Sequence, residues 1–306
     1  MNRHVCLLLT IGATLSGRAA EPGWTGRAWP WKSGAHTLIV AGRERTFLLD
    51  VPEHLRPGAA LVLVFHGFTD SAQGIRQTSG FAALAEKHGF VVAYPQGTRD
   101  AKGNTFFNVG YSFHRTETVD DVRFARELCA RLAGDLKLDP DAVFSTGMSN
   151  GGDMSYFLAR QPQPFVRAIA PVAGCMMSSW TNALLPQTRI SVMETHGTLD
   201  KTTWWAGDPQ DREGWGAYLG TDEIMAFWVK ALALEKSQIL EMPGASSNDH
   251  QATRVHRWWT AKDNTEVLLY EIPGGGHEWP RYLGDKNRPT AAVIWDFFKA
   301  HPPNRR

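Results

Sequence analysis

The run Gly147-Met148-Ser149-Asn150-Gly151 holds a serine hydroxyl between two glycines, each two residues away. A short apolar, β-prone run at 142–146 precedes it, and the helix-like "MSYFLA" follows. In so tight a strand-to-helix reversal, neighbours without side chains let the backbone fold sharply. The turn also sets the serine at a helix N-terminus, whose positive end favours an anion forming nearby. The chemistry implied is nucleophilic: a serine presented on a strained turn to attack a carbonyl carbon.

A serine hydroxyl is a poor nucleophile near neutral pH and needs a base, which in turn needs an orienting acid. Where this motif is catalytic, the chain order is serine, then Asp or Glu, then histidine. "RISVMETHGTLD" supplies a strand, a turn and Asp200; "VLLYEIPGGGHEWP" supplies a strand, three glycines and His277. A glycine triplet lets the backbone swing an imidazole freely into a crevice, which no core-packing role would need. The plainer readings are a turn aspartate capping its own loop and a surface histidine. Three groups in this order, each at the end of an element, favour Ser149, Asp200 and His277 as catalytic. The developing oxyanion also needs N–H donors. One is expected from Asn150, the residue after the nucleophile, and the other from Phe68 or Thr69 in "FHGFTDS". His66 in that segment reads as shaping the loop rather than as the base. Asp120 and Asp121 in "VDDV" read as first-turn acids on a helix.

The elements that must position these groups alternate along the chain. "HTLIVAGRERTFLLDVP" reads as two strands about a turn near Gly42, and "ALVLVFHG" as a strand buried on both faces. "SGFAALAEKHG" has helical spacing and stops at Gly89; "FVVAYP" is the next buried strand. "TVDDVRFARELCARLAGDL" carries an apolar stripe of Val122, Ala125, Leu128 and Leu132, with Thr118 and Asp121 spaced as a capping box. Strands follow over 142–146, 166–171, 190–195, 253–259 and 266–272, with helices from 149, over 222–234 and over 291–300. The alternation predicts the α/β class: a mostly parallel central sheet with helices on both faces. Catalytic loops then lie at the C-terminal ends of the strands. No linker divides the chain, so residues 21–306 read as one catalytic domain.

With 32 Lys and Arg against 31 Asp and Glu, the net charge is +1, and no basic or acidic block points to nucleic acid or a charged membrane. Residues 1–20 have a basic start, an apolar run too short to span a bilayer, and small residues at Gly17 and Ala19: the pattern of a secretory signal peptide. Secretion or periplasmic export follows, with no membrane association after cleavage. Beyond it remain Cys129 and Cys175, which fall in different layers and read as free buried thiols. "KTTWWAGDPQDREGWGAYLG" opens directly beside Asp200, and long loops in compact domains are usually lids or binding loops. Trp204, Trp205, Trp215 and Tyr218 either bind a flat acyl group or sugar ring there, or pin the loop to the domain. Trp279, two residues after His277, is a further candidate wall.

The segments "LVLVFHG", "FAALAEKHGFVVAYPQG", "VDDVRFARELCARLAGDLKLDPDAVFSTGMSNGGDMSYFLA", "AIAPVAG", "HGTLD" and "GGGHEWP" resemble the polyhydroxybutyrate depolymerase/feruloyl esterase group of secreted α/β-hydrolases, which includes members of carbohydrate esterase family 1. The likeness runs from about Thr46 to Phe298. It implies the α/β-hydrolase fold and an acyl-enzyme esterase with no metal and no cofactor, and it carries nucleophile, acid and base onto the same trio. Asp153-Met154 and the Trp-rich stretch are unusual beside it and bear on substrate. Feruloyl (hydroxycinnamoyl) or acetyl esters on plant cell-wall polysaccharide are the expected substrates. A short-chain polyhydroxyalkanoate polyester is the alternative with identical chemistry. A serine peptidase fits less well, lacking a gating domain, and a carbohydrate-binding protein without catalysis is the contender from another class.

Overall fold

A computed structural model describes residues 30–182, 189–242, 253–284 and 288–302; the expected signal peptide at 1–20 lies outside them. Ten strands form one sheet: β1 (Gly34–Val40), β2 (Arg43–Asp50), β3 (Leu61–Phe65), β4 (Val91–Pro95), β7 (Val143–Met148), β8 (Ala168–Val172), β9 (Ser191–Gly197), β10 (Lys236–Met242), β11 (Thr253–Trp259) and β12 (Glu266–Ile272). Two short strands, β5 (Thr98–Arg99) and β6 (Thr105–Phe106), pair apart from it. The helices are α1 (Ala72–Ser79), α2 (Phe81–His88), α3 (Asp121–Leu136), α4 (Asn150–Ala159), α5 (Thr221–Ala231) and α6 (Thr290–Ala300).

The strand order is β1-β2-β4-β3-β7-β8-β9-β12-β11-β10. The six strands from β4 to β12 run parallel, while the pairings β1–β2, β2–β4, β12–β11 and β11–β10 are antiparallel. The sheet is therefore mixed, and the expected parallel character holds for its centre alone. The reason is connection length. A parallel crossover needs a dozen or more residues, and only residues 260–265 join β11 to β12, so that pair closes as a hairpin.

Alternate residues of the apolar central strands serve opposite faces. Leu61, Leu63 and Phe65 pack with α3, α4 and α5 through Phe124, Leu128, Met154 and Trp228. Val62 and Val64 face α1, α2 and α6 through Ile75, Phe81, Ile294 and Phe298. Helices thus cover both faces, which is why these strands read as unbroken apolar runs.

Two elements are added to those expected and two local expectations change. Helix α1, "AQGIRQTS", buries only Ala72 and Ile75 as apolar side chains, too few to be read from sequence, and is started by Ser71, whose Oγ accepts the Gly74 N–H at 3.0 Å. Edge strand β10 is mostly exposed, so burial never patterned it. Helix α3 is capped by Asp120, which accepts the Arg123 N–H at 2.8 Å, and not by a box from Thr118. Asp121 is more than a first-turn acid: it is 2% exposed and pairs with the buried Arg45 at 2.5 Å. Its other oxygen accepts the Asn108 N–H at 2.7 Å.

This pair joins β2, α3 and the 107–111 loop. Asp121→Ala strands a buried guanidinium and is expected to lower stability by about 3–5 kcal/mol. Arg45→Met added to it should recover part of that loss, both read by denaturant unfolding.

Candidate active site

Ser149 follows β7 and precedes α4, with φ 56° and ψ −123°. The serine itself takes the left-handed backbone; neither Gly147 nor Gly151 has a positive φ. Both glycines are required by close approach instead. A Cβ on Gly151 would lie 2.2 Å from the Phe65 carbonyl oxygen and 2.7 Å from that of His66; one on Gly147 would meet Phe65 O at 2.6 Å. The strained serine is pinned on both sides, its N–H donating to Val172 O and its carbonyl accepting the Asp153 N–H, each at 2.9 Å. Such a conformation persists only where its surroundings over-determine it.

The acid and base stand on two neighbouring parallel strands. Asp200 follows β9, His277 follows β12, and their loops meet backbone to backbone: a Cβ on Gly197 would lie 2.4 Å from Gly275. The Leu199 N–H donates to Gly275 O at 2.9 Å. The approach demands glycine at 197; within the triplet Gly274 takes φ 77°, a Cβ on Gly275 would meet Ile272 at 2.7 Å, and one on Gly276 would meet open space. Asp200 Oδ2 accepts the His277 Nδ1–H at 2.7 Å, and its Oδ1 accepts the N–H groups of Thr202 and Thr203, each at 2.8 Å. Burial opposes the charge on Asp200, yet its partners, His277 first, outweigh it and hold the carboxyl below the usual aspartate range. With Nδ1 committed to Asp200, Nε2 of His277 is the nitrogen left to take a proton.

Ser149, Tyr111, Asp153, Cys175, Thr202, Thr203, Trp215 and Tyr218 bound one cavity of about 10 Å³, room for a single water. Nucleophile and acid loop therefore share a wall, since Thr202 and Thr203 are the residues that hold Asp200. Asp153, singled out by sequence only as unusual, accepts the Tyr111 O–H at 2.5 Å and the Cys175 N–H at 2.6 Å. Burial raises its pKa to about 7, against the opposing pull of those two bonds. The Asn150 side chain exchanges hydrogen bonds with the Phe107 backbone at 2.7 and 3.0 Å and donates to Tyr111 Oη at 3.0 Å. These partners are distant in sequence, so no local pattern announced them.

Asn150 is the first residue of α4, where N–H groups lack intrahelical partners. On the facing loop, Gly67 lies against Ser149, the Cβ of which is 3.6 Å from the position a Gly67 Cβ would take. The Thr69 N–H donates to Thr105 O at 2.8 Å, so of the two expected donors Phe68 keeps its candidacy and Thr69 loses it. His66 does shape this loop. Its Nε2 accepts the Gly97 N–H at 3.0 Å, so Nδ1 carries the proton and donates to Gly67 O at 2.7 Å. Burial lowers its pKa and keeps it neutral.

The tryptophans divide. Trp215 lines the Ser149 cavity and meets Phe68 edge to face at 5.4 Å. Trp204 lies beneath the Arg212 guanidinium, 4.7 Å from the ring centroid, and donates to Lys201 O; Trp205 donates to Asp222 and abuts the His196 ring. Those two pin their loop. Trp279 packs in the core beside Phe81 and is not among the residues that line the Ser149 cavity. Cys129 and Cys175 are free and buried, as expected. Among the described residues no helix is long and apolar enough to cross a membrane.

No family model matches the chain. It is 28% identical over 267 residues to an esterase-named protein, NocK, of Nocardia uniformis, covering 80% of this chain and 74% of that one. It is 28% identical to the poly(3-hydroxyalkanoate) depolymerase C of Paucimonas lemoignei, over 58% of this chain but 41% of the depolymerase. Feruloyl esterase D of Neurospora crassa matches at 23% identity across 95% of both chains. Among solved structures, the acetyl xylan esterase of Aspergillus awamori superposes with TM-score 0.60 over 87% of this chain and 99% of its own, at 14% identity. That likeness shows the fold, of the α/β-hydrolase type. The resemblance read from the sequence holds, and with it the class of enzyme, a serine carboxylic-ester hydrolase.

Asp153 binds its proton more readily folded than unfolded. The stability this contributes is complete below pH 3.8 and is lost as pH climbs through about 7. Asp153→Asn should therefore show a smaller fall in thermal midpoint between pH 4 and pH 8 than the wild type, measured by circular dichroism melts in matched salt.

Proposed function

We propose that the chain, after loss of residues 1–20, is a secreted esterase of one catalytic domain that removes short acyl groups, acetyl above all, from polysaccharide. The observation that carries this reading is the size of the cavity at Ser149, about 10 Å³. A methyl group fits such a space with little rearrangement, whereas a hydroxycinnamoyl ring needs the Trp215 and Tyr218 walls to move apart.

In the first half-reaction His277 Nε2 removes the Ser149 proton while Oγ bonds to the ester carbonyl carbon. The carbonyl oxygen becomes an oxyanion between the N–H groups of Asn150 and Phe68, donors that need no reorganisation because both backbones are fixed. Asp200 holds the imidazole in its Nδ1–H tautomer and balances the charge it gains. Collapse breaks the carbon–oxygen bond to the sugar, whose oxygen leaves with the proton from Nε2. Water, deprotonated by the same nitrogen, then attacks the acyl-enzyme, and Oγ departs with that proton as the acid is released.

A second reading has its own support. The cavity is lined by Asp153, Tyr111 and two threonines, polar groups that suit the hydroxyl of a 3-hydroxyacyl unit, and the chain has a depolymerase among its relatives.

A fluorophosphonate probe should label the wild type and leave Ser149→Ala unlabelled. Asp200→Asn should lose on the order of 10³–10⁴-fold in kcat; full activity in that variant would show that another acid orients His277. Across acetylated xylan, methyl ferulate and a poly(3-hydroxybutyrate) film, acetate release should dominate. Faster turnover of methyl ferulate would reject the short-acyl assignment, and faster film erosion would favour the second reading.

A further inference from the structure

Asp200 Oδ2, the oxygen that accepts the His277 Nδ1–H, has a second imidazole beside it. His196 Nε2 lies 3.5 Å away. His196 stands on β9 and is 1% exposed, and each of its ring nitrogens faces an acceptor. Nε2 is 2.9 Å from the Thr203 carbonyl oxygen, which cannot donate, so this nitrogen carries a proton. Nδ1 is 3.1 Å from Glu194 Oε1. That carboxyl is itself ringed by donors: the Gly174 N–H reaches the same Oε1 at 3.3 Å, and the Tyr156 O–H reaches Oε2 at 2.8 Å. Glu194 is fully buried, and this surrounding is the one an ionised carboxylate requires. Burial alone pushes the Glu194 carboxyl up, with His196 first among the groups that oppose it; three donors around one carboxyl favour the arrangement in which both ring protons stay on His196.

We propose that His196 is held as an imidazolium by Glu194 and acts as a positioning residue for the catalytic trio, binding the acid loop and placing a fixed positive charge behind Asp200. The proposal rests on the catalytic assignment of Asp200 and His277 made above. Its geometry serves two ends. Through Thr203 O the imidazolium anchors the segment whose N–H groups hold Asp200 Oδ1. Through its charge it offsets part of the negative field that Asp200 exerts on His277. His277 then stands beside a carboxylate whose charge is already partly balanced from behind.

The groups facing His196 come from every side of its pocket. Glu194 lies on its own strand. Asp200, the Thr203 carbonyl and the Trp205 ring, edge to face at 5.9 Å, come from the acid loop. Behind Glu194 lie Tyr156 and Asp153 of α4 and the Gly174–Cys175 turn. His277 stands across Asp200. Burial alone would strip the proton from His196, yet Glu194 in first place, with Thr203 and Asp200, outweighs it and leaves the pKa raised.

The test uses the full enzyme with p-nitrophenyl acetate. Glu194→Gln keeps the side-chain shape and lets His196 become neutral. The acid limb of its kcat/KM profile should move up by roughly a few tenths of a unit, because the nearer positive charge of His196 and the farther negative charge of Glu194 vanish together and only their difference acts at the site. Activity on the alkaline plateau should stay within about tenfold of wild type, since a repositioned loop would depress the whole profile. An unmoved acid limb in an active variant overturns the proposal. Nitrogen-15 NMR of histidine-labelled wild type supplies a readout independent of any variant's folding. At pH 8 one imidazole should keep both ring protons, and that signal should vanish in Glu194→Gln. Neutral rings throughout at pH 8 overturn the proposal even if the variant fails to fold. A folded wild type inactive on every ester would overturn the site assignment instead, with the NMR signature read separately.

Discussion

The carbonyl oxygens of Phe65 and His66 lie so close to the first turn of α4 that no side chain fits between them. This contact between backbones is the constraint from which the rest of the site follows. It forces glycine at 147 and 151, and it sets the loop after β3 against Ser149, so that the Phe68 and Asn150 N–H groups come from adjoining backbones. It also locks the serine where a side-chain-bearing residue would not otherwise stay. A positive φ at a non-glycine residue costs of order 1–3 kcal/mol. Here the hydrogen bonds to Val172 and Asp153 and the packing of β3 against α4 hold it there. A similar approach recurs one strand-pair away, where Gly197 and Gly275 bring the acid and base loops together.

Beneath these contacts lies a second problem, three carboxyl groups in a nearly dry space: Asp153, Glu194 and Asp200 are each at most 5% exposed. An unpaired buried carboxylate is too costly to persist, and each is accommodated differently. Asp153 has its pKa raised until it is largely protonated below neutrality. Glu194 has an imidazole and two further donors. Asp200 has an imidazole on one oxygen and two backbone N–H groups on the other, which keep it ionised. The candidate catalytic acid is thus the one given fixed donors on both oxygens.

The aromatic residues illustrate how burial sorts like residues into unlike roles. Trp204, Trp205, Trp215 and Trp279 all lie near Asp200 or His277 in sequence. Trp279 turns inward to α2, Trp204 spends its ring and indole N–H on its own loop, Trp205 reaches Asp222 of α5 and His196 of β9, and Trp215 alone of the four borders the Ser149 cavity. A large ring has more area to bury than a loop can offer to solvent, so most such rings end as anchors.

The sequence by itself determined the order of the central strands and helices along the chain and singled out Ser149, Asp200 and His277 as the candidate catalytic trio. Strand burial writes itself as apolar runs, and the elbow, the acid turn and the glycine triplet are local patterns at the ends of those runs. It also identified His66 as a loop-shaping residue. What it could not determine were the partners joined only by folding: Arg45 with Asp121, Asp153 with Tyr111, His196 with Glu194. The retirement of Thr69 as a donor belongs with them, because Thr105 reaches its N–H from thirty-six residues away. Side-chain periodicity reports which face a residue turns to the core, but not which distant residue waits there. Only the folded sheet, with its antiparallel flanks and backbone-to-backbone loops, decided that.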